Sequence, residues 1–320
     1  FMKYKIALIG AGEIGSRHLQ GLIKCHIPLK IFAIDPSDES LNKSKIRMNE
    51  VISSNSPHKI EFLNNHESLV GKNIDIVILS SSAKGRAELI LDLSNRLNIR
   101  YWVLEKVLAQ NEDELKKILN ELTPYPGAWV NTPRRMMSWY KEIIKLSPSK
   151  APLDCLVSGK EWGLACNAIH FLDLVAWWSG EQIQSISLEN LAPKWHKSKR
   201  KGFWEIFGTL EAFYSRGSKL TMNCAQEDQK FLIHVNSGNF SWNINEYDGI
   251  AIRDDNLSLE GRLDFQSQIT GILIESISEK GECELPCIET SVNQHKILLN
   301  ALLYDWNNKM SEKHTKLPIT

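Results

Sequence analysis

The 320-residue sequence has no excess of charge of either sign, because 38 lysines and arginines are balanced by 38 aspartates and glutamates. A neutral chain lacks the overall field that attracts nucleic acid or an acidic membrane surface. The sequence also contains no apolar run near the roughly 18 residues that a membrane span requires, and its first residues lack the pattern of a secretory signal. We therefore expect a cytoplasmic protein with neither a nucleic-acid nor a membrane partner.

The six cysteines are not arranged as metal ligands. Only Cys283 and Cys287 lie close in sequence, and they lack both C-x-x-C spacing and neighbouring histidines, which argues against a zinc site. A cytosolic chain keeps such thiols reduced. We predict no metal site, and we expect most of the cysteines to pack as small apolar side chains in or near the core.

A short apolar run over residues 6–9 is followed by glycines at G-x-G-x-x-G spacing and by a helix-compatible stretch from Ser16 onward. In a dinucleotide site the first glycine permits a tight turn, the second lets the backbone approach a pyrophosphate, and the third allows close helix packing. The alternative is that the glycines only shape a turn. The cofactor-binding residues that this motif predicts are Gly10, Gly12, Glu13, Ile14 and Gly15.

A second apolar run, Leu29 to Ile34, ends in Asp35, about twenty residues after the last glycine of the motif. A carboxylate at this position can bond the ribose hydroxyls of a dinucleotide and repel a 2′-phosphate. The next residues offer no cation to reverse that preference. We predict that Asp35 binds the cofactor and that the cofactor is NAD rather than NADP.

Apolar runs and amphipathic stretches continue to alternate after Asp35, which predicts a doubly wound Rossmann α/β domain, assigned to residues 1–125. Ser80 and Ser81 end the strongest run, at the strand end where ligands of open α/β sheets bind, so we predict that both contact the cofactor. The predicted strands are Ile6–Ile9, Leu29–Ile34, Ile60–Leu63, Ile74–Leu79 and Arg100–Leu104, with Ala128–Asn131 repeating the pattern.

Residues 126–320 show a different pattern, with one helix-like block over 163–179 and then several strand-like segments separated by short polar turns. This pattern predicts a second α+β domain with a large, mainly antiparallel open sheet. A closing helix can pack back on the first domain. The predicted strands are Ile183–Leu188, Trp204–Tyr214, Lys219–Cys224, Lys230–Val235, Gly238–Ile244 and Gly249–Asp254, and the closing helices are Leu263–Ser278 and Ser291–Asn308.

Lys106 follows directly after the strand that ends at Leu104, in the sequence V-L-E-K-V. At a strand end beside the glycine turn, a lysine can bond a substrate hydroxyl and, when partly desolvated, carry its proton near neutral pH. A surface lysine at the start of a loop fits the same position.

A second set of candidate residues lies on the apolar helix predicted over residues 163–179. His170 and Asp173 are three residues apart and share a face, with Cys166 and Asn167 one turn earlier. Polar side chains on a helix this apolar are either satisfied core residues or residues of a site. The residues alone leave both alternatives open. If the helix forms part of a site, Cys166, Asn167 and Asp173 are its predicted substrate contacts.

These stretches resemble the glucose–fructose oxidoreductase, inositol dehydrogenase and MocA (Gfo/Idh/MocA) family of oxidoreductases over most of the chain. The resemblance rests on G-A-G-E-I-G-S-R-H, E-K-V-L, V-N-T-P-R-R and the H-x-x-D helix that ends in W-W-S-G. It implies that Lys106 orients and helps to deprotonate a substrate hydroxyl, that His170 is the acid/base residue, and that Glu105 contacts the cofactor. It also implies a substrate wall formed by the open sheet and a homodimer or homotetramer.

Three residues depart from the family pattern. Cys166 stands where an aspartate is common, and a neutral thiol cannot hold an imidazolium as a carboxylate does, so Lys106 is expected to carry more of the proton transfer. Val107 replaces a frequent proline, which allows the loop of Lys106 a different path. In the loop after the fourth predicted strand, Arg86 lies near the position where the family commonly has a histidine.

Two groups of basic residues could bind an anion. After Asn131, Arg134 and Arg135 could hold a substrate carboxylate or phosphate as a fork, although closing a helix or pairing with Glu161 fits them equally. The run Lys194–Lys201 is the densest charge cluster and is interpreted as a solvated loop or as an anion-binding flap. The aromatic residues flanking the run, Trp195, Phe203 and Trp204, could stack on a ring or belong to the core.

The sequence therefore predicts an NAD-dependent oxidoreductase that moves hydride between nicotinamide and a hydroxyl carbon of a sugar or sugar derivative. The basic residues favour an acidic or nucleotide-linked sugar, as in surface-polysaccharide pathways. The alternative is a dinucleotide-binding sensor or regulator of the same fold that has lost the reaction, which the cysteine at position 166 motivates.

Overall fold

The computed structural model describes residues 4–320, and its helices and strands are numbered here in chain order. The helices are α1 (Glu13–Ile23), α2 (Asp38–Asn49), α3 (Arg86–Arg96), α4 (Glu112–Leu122), α5 (Ser138–Lys145), α6 (Leu164–Ser179), α7 (Gln266–Lys280) and α8 (Ile288–Lys309). The strands are β1 (Tyr4–Ile9), β2 (Leu29–Ile34), β3 (Lys59–Leu63), β4 (Asn73–Leu79), β5 (Asn98–Leu104), β6 (Gly127–Val130), β7 (Asp154–Lys160), β8 (Ile183–Leu191), β9 (His196–Lys197), β10 (Trp204–Glu205), β11 (Gly208–Tyr214), β12 (Lys219–Ala225), β13 (Leu232–Ser237), β14 (Phe240–Asn245), β15 (Ile250–Arg253) and β16 (Ser258–Glu260). No helix within residues 4–320 is long and apolar enough to cross a membrane.

The first of two units comprises the residues up to Leu108 together with Lys116–Asn131 and Asp264–Glu289. Its six strands are all parallel and lie in the order β3-β2-β1-β4-β5-β6. The apolar runs of β1 and β4 are buried, as expected for a parallel sheet that is covered on both faces. The strand order reverses between β1 and β4, which is where doubly wound sheets bind their ligands. The predicted Rossmann class is confirmed.

The boundary predicted after residue 125 differs from the observed division. β6 pairs in parallel with β5, so the first unit extends to Asn131, and a short segment before it, Ala109–Leu115, belongs to the second unit. α7 returns to the same unit and packs against α1, where a Cβ on Gly21 would lie 2.7 Å from Cβ of Thr270. Glycine therefore permits the close approach of these two helices.

The second unit comprises Ala109–Leu115, Thr132–Leu263 and Thr290–Thr320. Its eight-stranded sheet has the order β16-β15-β14-β13-β7-β12-β11-β8, in which only β7 and β12 pair in parallel. Alternate residues of β12 are buried, and α6 packs on this strand. The predicted large, mainly antiparallel sheet is confirmed.

Several elements of this unit differ from the sequence prediction. The sequence pattern did not predict β7, β9, β16 or α5, and it joined β10 and β11 into one strand. The predicted strand is interrupted before Gly208. This glycine has φ of +103°, and a Cβ on it would lie 2.5 Å from the Asn190 carbonyl oxygen. The two halves consequently pair in different sheets.

Candidate functional site

The glycine turn links β1 to α1 at the carboxyl edge of the six-stranded sheet. Gly10 has φ of +92°, which suits glycine, and its N–H donates to the Ile34 carbonyl over 2.8 Å. A Cβ on Gly15 would lie 1.9 Å from the Gly10 carbonyl oxygen, so α1 packs directly against the turn. A Cβ on Gly12 would meet nothing closer than 3.9 Å, and within residues 4–320 no side chain caps α1. The turn thus offers an open surface and helix N–H groups to an anion.

Asp35 lies beside this turn at the end of β2. Its Oδ2 accepts a hydrogen bond from the Ala11 N–H at 2.7 Å, and its Oδ1 accepts one from the Ser37 N–H at 2.9 Å. These bonds fix the carboxylate at the position from which a dinucleotide ribose is bound in this type of sheet.

Glu13 and Ile14 begin α1 on its exposed side. Glu13 pairs with Lys43 at 2.5 Å and with Arg47 at 2.7 Å. Hydrogen bonds from these two cations lower the pKa of Glu13 to about 2. The carboxylate therefore holds α2 against α1, and contact of Glu13 or Ile14 with a cofactor stays a prediction.

Ser80 and Ser81 follow β4, next to the glycine turn. Ser80 Oγ donates to the Gly10 carbonyl oxygen at 2.6 Å. Ser81 Oγ is buried and has no hydrogen-bond partner within residues 4–320. A buried hydroxyl without a partner is costly unless a ligand or water satisfies it, so Ser81 is the more informative of the two.

Arg86 is buried, with 1% exposure, and its guanidinium donates to three backbone carbonyls. These belong to Ser81, to Glu105 and, at 2.5 Å, to Val107. Two of the three carbonyls flank Lys106, whose peptide bond to Val107 is cis. Arg86 thus holds, by hydrogen bonds, the backbone segment that contains Lys106.

Glu105 is buried, and its Oε1 lies 2.9 Å from Nε2 of His18 and accepts a hydrogen bond from Asn131 at 2.5 Å. Burial raises the pKa of Glu105, but the hydrogen bond and charge of His18, with Asn131 and Lys106, hold that pKa below its usual value. His18 Nδ1 lies 2.9 Å from the Thr270 hydroxyl. Glu105 is therefore an anion close to Lys106, and its predicted contact with the cofactor stays a prediction.

In the second unit, α6 carries Cys166 and, one turn later, His170, which is half-buried. The carboxylate of Glu205 accepts hydrogen bonds from the N–H groups of Ala165 at 2.8 Å and Cys166 at 3.2 Å. The positive end of the helix is thereby occupied by a carboxylate of the chain. Cys166 and His170 share one face of α6 because they are four residues apart.

Asn167 and Asp173 bond to different parts of the second unit. Asn167 Nδ2 donates to the Trp162 carbonyl at 2.7 Å. Asp173 is 1% exposed and binds the guanidinium of Arg135 through both carboxylate oxygens, at 2.7 and 2.5 Å. Thr132 Oγ1 also donates to Asp173, at 2.8 Å. Asp173 and Arg135 thus form an ion pair with each other. Substrate contact by either residue, or by Asn167, stays a prediction.

Arg134 is likewise paired. Its guanidinium binds both oxygens of Glu246 at 2.8 Å each, and Tyr140 donates to the same carboxylate. Its partner is therefore Glu246 and not Glu161, the partner that the sequence analysis considered. The guanidinium groups of Arg134 and Arg135 therefore both bind carboxylates of the chain itself. Substrate contact by Arg134 stays a prediction.

Solved structures match nearly the whole chain at low sequence identity. Myo-inositol 2-dehydrogenase from Lactobacillus plantarum is 15% identical with a TM-score of 0.68, covering 98% of this chain and 100% of its own. A Gfo/Idh/MocA family oxidoreductase from Vibrio cholerae is 15% identical with a TM-score of 0.66, covering 97% and 100%. The chain has the Gfo/Idh/MocA fold. No protein-family model and no curated protein sequence matches it.

The Gfo/Idh/MocA fold also occurs in a protein named for regulation. The transcriptional regulator Gal80p from Kluyveromyces lactis is 11% identical with a TM-score of 0.71, covering 96% of this chain and 91% of its own. The fold alone therefore does not distinguish an enzyme from a regulator, and individual residues have to decide between the two.

Within this fold, the first unit brings together the residues predicted from contiguous motifs. They lie at one sheet edge and are Gly10, Gly12, Glu13, Ile14, Gly15, Asp35, Ser80, Ser81, Glu105, Lys106 and Asn131. The sequence analysis missed the roles of His18, Arg86 and Glu205. Each of the three has a feature in the sequence that could have drawn attention to it. His18 ends the motif G-S-R-H, Arg86 lies near the position of a family histidine, and Glu205 is an acid among aromatic residues.

Proposed function

We propose that the protein is an NAD-dependent oxidoreductase that transfers hydride between nicotinamide and a hydroxyl carbon of a sugar or sugar derivative. The observation that carries the proposal is one sheet edge where an open glycine turn, a fixed Asp35 carboxylate and Lys106 occur together. The likeness to myo-inositol 2-dehydrogenase supports a ring hydroxyl as the reacting group.

The described residues fit NAD. The open surface at Gly12 and the uncapped N–H groups of α1 suit a pyrophosphate. The carboxylate of Asp35 suits two free ribose hydroxyls and disfavours a 2′-phosphate. Ser81 offers a buried hydroxyl that lacks a partner within residues 4–320. When bound, NAD supplies the group that accepts or gives hydride.

Lys106 and His170 handle the hydroxyl proton in the proposed reaction. Lys106 Nζ bonds the substrate hydroxyl and takes its proton as the carbon is oxidised, or returns it on reduction. Arg86 bonds the backbone carbonyls on both sides of Lys106, so the backbone at the lysine is held in place, and the preceding residue is the anionic Glu105. His170 acts as a second acid/base group, and Cys166 stands one turn before it, where the family commonly has a carboxylate.

The test follows the absorbance of reduced nicotinamide when the full chain is mixed with NAD or NADH and a panel of sugars, sugar acids, sugar phosphates and sugar nucleotides. We expect turnover with at least one compound and its loss in Lys106→Ala. The matched control is Lys59→Ala, because Lys59 is exposed at the opposite, amino end of a strand of the same sheet. Equal turnover in Lys106→Ala and the wild type would refute the role of Lys106.

A regulator that binds the dinucleotide without turnover is the second candidate. Cys166 in place of a carboxylate favours it, and the fold shared with Gal80p supports it. It predicts tight NADH binding with no turnover of any compound in the panel. Turnover that requires Lys106 would exclude it.

A further inference from the structure

The basic run Lys194–Lys201 forms a hydrogen-bonded hairpin in the second unit, and its charged side chains are exposed, as the interpretation of a solvated loop predicts. β9 and β10 pair in antiparallel fashion. The turn between them is closed by the Ser198 N–H, which donates to the Phe203 carbonyl at 2.9 Å, and by the Arg200 N–H, which donates to Ser198 Oγ at 3.2 Å. At the base, the buried Trp195 donates to Asp305 at 2.9 Å. The backbone that carries the charged side chains is therefore held in a defined conformation.

This hairpin forms one side of a cavity of about 470 Å³, and the start of α6 with the residues before it forms the other. The volume lies within the range of about 300–1,000 Å³ that is usual for small-molecule sites. Cys166 lines the cavity and lies one turn before His170 on α6. The cavity thus borders the face of α6 that carries the proposed acid/base residue.

Three cations of the run line the cavity, namely Lys197, Lys199 and Arg200. Within residues 4–320 none of them forms an ion pair. Two carboxylates, Glu161 and Glu205, also line it, but Glu205 is bonded to the N–H groups at the start of α6. The hairpin side of the cavity therefore carries three cations that form no ion pair within residues 4–320, which suits an anionic group.

Aromatic rings supply the remaining surface. The indole of Trp162 is fixed by a 2.8 Å hydrogen bond to the Asn223 carbonyl and by an edge contact with Phe171. His196 and Phe207 stack with ring centroids 4.0 Å apart. Rigid aromatic faces of this kind bind the apolar face of a sugar or a base.

We propose that this cavity binds the phosphate-bearing part of a phosphorylated sugar substrate. Lys197, Lys199 and Arg200 contact the phosphate, and Trp162 packs on the attached ring. The inference rests on the proposed function, because the same molecule would present its reacting hydroxyl to His170, one turn along α6. A sugar monophosphate and a nucleotide-linked sugar share this chemistry.

The test is titration calorimetry of the full chain, saturated with NADH, against glucose, glucose 1-phosphate and UDP-glucose. Lys197→Ser/Lys199→Ser removes two cations that line the cavity. The control Lys194→Ser/Lys201→Ser removes the same charge from the same run at positions outside the cavity. We expect a phosphorylated probe to bind more tightly than glucose, the first variant to weaken it by about tenfold or more, and the control to change it by less than about twofold.

Equal affinity for glucose and both phosphorylated probes, or an equal loss in both variants, would overturn the site. A preference for UDP-glucose over glucose 1-phosphate would support it and identify a nucleotide-linked source, and the reverse preference would support it with a monophosphate. The binding readout separates the two proposals. Phosphate-dependent binding without turnover sustains the cavity and refutes the enzyme, whereas turnover without phosphate dependence sustains the enzyme and refutes the cavity.

Discussion

Individual charged residues of the first unit determine the chemistry that its sheet edge supports. Asp35 is held by two backbone N–H groups and presents a fixed negative charge. Glu105 is kept ionised in a buried cluster with His18 and Asn131. Arg86 uses its donors on backbone carbonyls around Lys106. Each of these residues makes a separate prediction.

Asp35→Asn keeps an oxygen that can accept the Ala11 N–H but removes the negative charge. We expect NADH affinity to fall by about tenfold and the preference for NADH over NADPH to shrink by about the same factor. Nicotinamide fluorescence titrations measure both. Tighter binding of NADPH by the wild type, or an unchanged preference in the variant, would show that Asp35 does not bind the ribose.

Glu105 gives the free energy of unfolding a defined dependence on pH. Because its pKa is lowered in the folded protein, its contribution is complete above the unfolded value of about 4.3 and is lost as pH falls through the lowered folded value. We expect acidification from pH about 5 to destabilise the wild type more than Glu105→Gln in urea unfolding. Glu67→Gln, at an exposed ion pair, is the control. Parallel pH profiles for wild type and Glu105→Gln would contradict this.

Arg86→Lys replaces a planar fork by a compact ammonium group that cannot reach three carbonyls in the same geometry. We expect kcat to fall by about tenfold or more, with a smaller change in the Kd for NADH, because the backbone around Lys106 is displaced while the glycine turn is intact. Arg96→Lys, at an exposed position at the other end of α3, serves as the control. An unchanged kcat in Arg86→Lys would remove Arg86 from the positioning of Lys106.

At the scale of elements, the junction of β1 and α1 depends on two glycines for different reasons. Gly15 faces the Gly10 carbonyl, whereas Gly12 faces open space. We expect Gly15→Ala to lower the free energy of unfolding by about 1–3 kcal/mol through overpacking. Gly12→Ala should weaken NADH binding by at least about tenfold and change stability by less than about 0.5 kcal/mol. Urea unfolding and NADH titration distinguish them, and equal behaviour of the two variants would refute the separate roles.

The sequence predicted elements whose signal is local. The strands of the parallel sheet are continuous apolar runs, and the glycine turn is a contiguous motif. β7 was missed because its sequence, D-C-L-V-S-G-K, combines polar and apolar residues without clear alternation, and its neighbours β12 and β13 lie far along the chain. α5 has only eight residues, too few to show a helical period.

Site residues that act through distant partners could not be predicted in the same way. His18 meets Glu105 across 87 residues, and Glu205 meets Ala165 across 40. Arg134 was predicted to contact the substrate because its actual partner, Glu246, lies 112 residues away in the sequence. Asp173 and Arg135 were likewise predicted as substrate contacts, although they pair with each other. Sequence spacing contains no information about such pairs until the topology is known.

At the scale of the whole molecule, the candidate residues are divided between two units, with Lys106 in the first and His170 in the second. The eight-stranded sheet of the second unit also exposes apolar side chains. Leu156, Phe213 and Ile252 are 40%, 38% and 45% exposed. The strand registers place these three side chains on the same face of the sheet.

We predict that this sheet face joins copies of the chain into a homodimer or homotetramer. Light scattering should give two or four times the chain mass of 36.5 kDa. Leu156→Glu/Ile252→Glu should give the single-chain mass, whereas Ile46→Glu, on an exposed position of α2, should not. A wild-type mass of one chain, or assembly that survives the double substitution, would contradict the prediction.

Hydride transfer itself is tested most directly with NADH that carries deuterium at the transferred position of the nicotinamide. The full chain is incubated with this NADH and the oxidised form of any compound that proves active in the panel, and the product is analysed by mass spectrometry. Our account predicts a product that gains one deuterium on carbon in the wild type, at a rate that collapses in Lys106→Ala. Bound NADH that never transfers deuterium to any member of the panel would contradict it.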